Sequence, residues 1–142
     1  MPIDVQFDAD LQLLVVTIAG SWPTLPDIVA QRSRLVARGL LKPGVVELID
    51  IRSVARLPNV TEMRAILEAF GAPSRKRAIV VETSLQFNAG KRAEALEPRS
   101  MKVFREEADA LAWLLAARHI DAEVEVDRTG KGRVPVVWGL RA

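Results

Sequence analysis

The sequence predicts an α/β fold: a single-domain mixed β-sheet packed with about four helices, in the order β-β-α-β-α-β-α-β-α, followed by a C-terminal β-hairpin. Three observations carry this prediction. The chain opens on alternating apolar and polar residues and then a run rich in β-branched residues, the pattern of paired strands. Twice thereafter a short apolar run, Val45 to Ile51 and Ala78 to Val81, precedes a stretch with apolar residues at helical spacing, the signature of β-α units around buried parallel strands. Near the end, Ala122 to Asp127 alternates strictly and is joined by a Gly-containing loop to the apolar run Val134 to Leu140.

The elements follow in order. Ile3, Val5 and Phe7 alternate, Asp8-Ala9-Asp10 offers a turn, and Leu11 to Ile18 completes an antiparallel hairpin. Thr24 can cap a helix, with Pro26 in its first turn and Asp27 three residues after the cap. Leu25, Ile28, Val29, Leu35 and Val36 are the expected buried stripe, with Arg32 as a snorkelling stem whose head is solvated. Gly39 is the expected stop.

After the Lys42-Pro43-Gly44 turn comes the strand Val45 to Ile51, then a polar connection and a helix carrying Val60, Met63, Ile66, Leu67 and Phe70 on one face. Asn59 with Glu62 resembles a capping box, and Thr61 is a competing cap. Arg75-Lys76-Arg77 reads as a solvated approach to the strand at Ala78 to Val81. A weaker helix is expected from Leu85 to Leu96, with Leu85, Ala89, Ala93 and Leu96 aligned. Met101 to Phe104 alternates as a short strand, and Glu106 to Arg118 is a helix apolar nearly all round, with Leu111 and Leu115 on one side and Trp113 almost opposite. Residues 1–120 are expected to form the α/β domain, with 121–142 as a hairpin extension of the same domain that either covers the sheet or pairs with another subunit.

Composition narrows the function classes. The 142 residues are 49% hydrophobic, enough for one sizeable core, and the net charge is +2 with the basic residues dispersed, which argues against nucleic acid as a partner. There is no cysteine, so disulfides, thiolate metal sites and cysteine nucleophiles are excluded. Acids stand in the first twelve residues where a signal peptide would be basic, and no apolar run approaches the roughly 18 residues of a membrane span; a cytoplasmic protein without an integral membrane segment is expected. The one histidine, His119, follows a helix end, and no base and nucleophile can be paired, so an enzyme is not expected, nor a cofactor or metal.

Leu14-Val15-Val16-Thr17-Ile18-Ala19-Gly20, Leu48-Ile49-Asp50 and Val103-Phe104-Arg105 followed by Ala108 and Ala110-Leu111-Ala112-Trp113-Leu114 together resemble the STAS family, and within it the bacterial SpoIIAA-like group. The resemblance covers about residues 3 to 118. It implies a non-enzymatic regulatory or protein-interaction module of the kind found among anti-sigma-factor antagonists. Those proteins carry a phosphorylated serine in an Asp-Ser-x-Gly turn after the central strand, where this chain reads Asn59-Val60-Thr61-Glu62. The usual serine switch is therefore not expected, and Thr61 is the nearest hydroxyl.

The recognition surface is expected in the connection from Asp50 to Thr61, at the carboxyl end of the central strand where open α/β sheets meet their partners. Asp50, Ser53, Asn59 and Thr61 are the candidate binding residues there, with Trp113 on the apolar helix. The partner would be a protein or a second copy in a homodimer. A second reading, by fold-level analogy to Sec14-like lipid carriers, is a binder of a small apolar or lipid-like ligand, with Trp22, Phe70, Phe87 and Trp113 as candidate cavity walls.

Overall fold

The computed structural model describes residues 3–70 and 76–116, which form a five-stranded sheet in the order β1-β2-β3-β4-β5 with helices on both faces. In chain order the elements are β1 (Ile3–Asp8), β2 (Leu13–Ser21), α1 (Leu25–Ala37), β3 (Val46–Arg56), α2 (Val60–Phe70), β4 (Arg77–Val80), α3 (Ser84–Leu96) and β5 (Met101–Phe104). A last helix, α4, spans residues 107–116. β1 is antiparallel to β2, and every later neighbour is parallel, as the alternation of strand and helix implied. The expected C-terminal hairpin lies outside the described residues.

Because each β-α-β step joins adjacent parallel strands, right-handed crossovers put α1, α2 and α3 on one face. Val16 and Ile18 of β2, Ile49 and Ile51 of β3, Ile79 of β4 and Val103 of β5 form the core there with Met63, Leu67, Ala89 and Ala93 of the helices. α4 returns across the opposite face, where Ala110 and Leu114 cover Leu13, Val46, Leu48, Ala78 and Val80. The central strands are apolar on both sides because both sides are roofed.

Local chemistry sets most element ends. Thr24 caps α1 by accepting the Asp27 N–H at 3.3 Å, and Gly39 follows the helix with φ +72°, a conformation that disfavours other residues. Asn59 and Glu62 form the reciprocal capping box of α2, with bonds of 2.8 and 2.9 Å. α3 begins with a second capping box, Thr83 with Gln86. Gly90 lets α3 lie against β5, since a Cβ there would stand 2.5 Å from Val103 Cγ2. On the edge strand β5, the Val103 N–H donates to Glu94 Oε2 at 3.1 Å, so that edge is partly occupied by a side chain of its own fold.

Several expectations are corrected. β3 continues to Arg56 because Ala19, Gly20 and Ser21 of β2 extend alongside Ser53, Val54 and Arg56, with a register shift after Thr17. In α1, Leu25, Val29 and Val36 are exposed (40%, 46% and 62%), while Arg32 is buried. The stripe that packs inward is Ile28, Arg32 and Leu35, a face rotated by about a tenth of a turn from the purely apolar choice. Arg77 is fully buried rather than solvated, and Val60 and Leu85, placed on inward faces by spacing, are exposed in the first turns of α2 and α3. On α4, Leu111 and Trp113 pack against the same cluster instead of facing apart.

Candidate functional site

The predicted connection from Asp50 to Thr61 is mostly strand, and its candidate residues are divided by the sheet. Asp50 and Arg52 lie on the face of α4. Arg52 donates from Nε to Asp50 Oδ1 at 3.0 Å and from an Nη to Asp50 Oδ2 at 2.8 Å, and the same guanidinium reaches Glu107 of α4 at 3.0 Å. The Arg52 guanidinium and backbone N–H hold the Asp50 carboxyl below its ordinary value, against a smaller opposing effect of burial. Asp50 is thus a clasp between β3 and α4, ionised at neutral pH and a weak proton acceptor.

Ser53 is exposed on β3 opposite Ala19. Asn59 caps α2 on the other face of the sheet, and Thr61 is exposed in the first turn of that helix. Trp113 is half buried on α4, its ring centroid 5.8 Å from that of Phe104, with the Lys76 ammonium 6.0 Å from its centroid. The five candidates therefore do not converge on one centre. Asp50, Asn59 and Trp113 each hold the fold together at a different point.

What does converge is a cavity between the sheet and α1 to α3. It has a volume of about 80 Å³, and its walls include Val16, Ile18, Ile49, Met63, Ile66 and Ala93. Trp22, in the link from β2 to α1, closes part of it, whereas Phe87 and Trp113 are not among its walls. Phe87 instead lies beneath the Arg105 guanidinium, 4.5 Å from its ring centroid. The side chain of Phe70 lies outside the described residues.

Arg32 and Glu47 border the cavity. Glu47 points to the same side of β3 as Ile49 and is fully buried; Arg32 of α1 pairs with it at 3.0 Å, and Arg77, its register partner on β4, approaches to 3.6 Å. The carboxylate is thereby turned to its two guanidiniums, and the remaining wall is mostly hydrocarbon, with Gln31 and the Trp22 indole as its other polar members. A charge taken from water needs a partner of opposite sign, which is why these three residues sit together.

The ion network is the feature sequence reading missed; of the cavity's walls it named Trp22 alone among those described. A signal was present: Glu47 is the one charged residue between Val45 and Ile49, at a position facing the core, and such an acid demands a buried cation. Arg32 within the α1 stripe and Arg77 heading β4 were the cations available.

No family model and no curated protein sequence matches the chain. Among solved structures, an uncharacterised protein of the DUF3478 family with a SpoIIAA-like fold, from Shewanella loihica PV-4, superposes with a TM-score of 0.57 at 24% sequence identity, covering 79% of this chain and 91% of that one. The similarity is one of fold. The chain has a SpoIIAA-like fold, the fold its sequence resemblance implied.

Proposed function

We propose that this domain is a non-enzymatic binding module whose ligand is a small apolar molecule or the apolar end of a larger one, held between the sheet and α1 to α3. The observation that carries the reading is the cavity itself: about 80 Å³ bounded almost wholly by aliphatic side chains, its two bordering charges engaged with each other. An apolar space of about 150 Å³ suffices for a benzene ring, so the present volume suits a few carbons, and a longer chain requires α1 or Trp22 to move outward.

Native mass spectrometry of freshly purified protein, followed by titration of delipidated protein with the fluorescent chain of cis-parinaric acid, tests this. Wild type should retain an adduct or bind the probe, and Ala93→Leu, which fills the cavity, should weaken probe binding while the protein still melts cooperatively. Neither adduct nor probe binding in wild type would overturn the reading.

The regulatory reading, a protein-interaction module lacking the serine switch, draws support from a different place. Three large apolar side chains stand exposed on α1, outside the cavity.

A further inference from the structure

α1 presents to solvent a face with no charge on it. Leu25, Val29 and Val36, 40%, 46% and 62% exposed, lie along one side of that face, and the small exposed residues Pro26, Ala30, Ser33 and Ala37 run along its middle. The inward side of the same helix is fully employed, with Ile28, Arg32 and Leu35 buried over the sheet. Along the flank opposite Leu25, Val29 and Val36 stand charged residues in a definite order: Asp27 in the first turn and Arg34, with its Nη bonded to Gln31, in the last.

From this arrangement we infer that α1 is a self-association surface, pairing antiparallel with α1 of a second copy about a two-fold axis near residues 30 and 31. The two-fold makes like flanks face each other. Leu25 of one copy then meets Val36 of the other, and the small residues between them let the two helices approach closely. On the charged flank, Asp27 meets Arg34 of the second copy, and the same pair forms again at the other end. A parallel pairing would instead set the apolar flank against the charged one, leaving both acids and bases without opposite charges. The antiparallel helix dipoles also oppose each other favourably.

The size of the surface sets its strength. A helix of 13 residues is roughly 20 Å long, and contact along it alone falls below the roughly 800 Å² per partner of a standard stable interface. The dimer is accordingly weak, filling at high concentration and dissociating on dilution. This surface lies outside the cavity, so it stands or falls separately from the binding reading.

Sedimentation velocity of the full chain across a concentration series is the test, using Val29→Glu, Val36→Glu, Asp27→Arg and Arg34→Asp. Wild type should show a concentration-dependent monomer–dimer equilibrium. Each glutamate variant should raise the dissociation constant roughly tenfold or more: Val29→Glu brings two carboxylates together near the two-fold axis, and Val36→Glu sets a charge against Leu25 of the other copy. The two glutamate variants replace exposed residues, so either one that keeps the wild-type melting temperature suffices. Asp27→Arg and Arg34→Asp should each be monomeric alone, with two repulsive pairs per dimer, and should form a heterodimer when mixed, with both pairs restored. A wild type monomeric at every concentration, a dimer unaffected by the glutamates, or a mixture that stays monomeric would each overturn the inference.

Discussion

Glu47 and Asp50 stand three positions apart on one strand and behave in different ways because the sheet turns them to different surroundings. Glu47, fully buried, is placed among the guanidiniums of Arg32 and Arg77 and binds α1 to the sheet from inside. Among the described residues Asp50 pairs with Arg52 and, through it, Glu107, near the rim of the α4 face. The folded state holds the Asp50 carboxyl below its ordinary value, so its contribution to stability is present above the unfolded pKa and is lost as pH falls through the lower folded one. Thermal melts of Asp50→Asn against wild type should therefore differ at pH 7, with the variant lower; the difference should begin to shrink below about pH 4, the ordinary carboxylate value, and vanish only once the pH falls below the lowered folded one. An unchanged difference at low pH would mean that the clasp acts through shape instead of charge.

At the scale of elements, the helices are held by specific close approaches as well as by their apolar faces. α3 rests on β5 through Gly90, where the Cβ of any other residue would overlap the Val103 side chain. Gly90→Ala should lower stability by about 1–3 kcal/mol, the usual range for overpacking, despite the better helix propensity of alanine. Denaturant melts of the single variant and of Gly90→Ala combined with Val103→Ala check this: the second substitution removes the obstructing methyls, so the pair should cost less than the sum of its parts. The caps were legible in sequence where the signature was complete, as with Thr24 before Pro26 and Asp27 and with Asn59 before Glu62. Thr83 with Gln86 carried the same signature and went unread because apolar spacing alone set the start of α3 at Leu85.

For the whole molecule, one sheet serves two helical layers. Ile79 and Ala78 are neighbours on β4, yet one packs beneath α2 and α3 and the other beneath α4. The two cores therefore share a backbone and should unfold together. Leu114→Ala on α4 should cost about 2–5 kcal/mol, as for a fully buried leucine, and should shift a single cooperative transition followed by both far-ultraviolet dichroism and tryptophan fluorescence. Two separated transitions would show α4 to be a detachable layer.

The sequence by itself determined the class of fold, the order of elements and the caps, because hydrophobic period and capping chemistry are local and act within a few residues of the chain. It also bore the resemblance that the shared architecture matches. Tertiary structure decided which flank of each helix turns inward, and the difference is chemical: one buried acid, Glu47, drew Arg32 inward and left Val29 and Val36 in water. It likewise extended β3 beside β2, separated Asp50 from Asn59 and Thr61 by the thickness of the sheet, and assembled the cavity from strands and helices far apart in the chain. Those outcomes depend on pairing partners fifteen or more residues distant, a separation over which no periodicity in the sequence carries information.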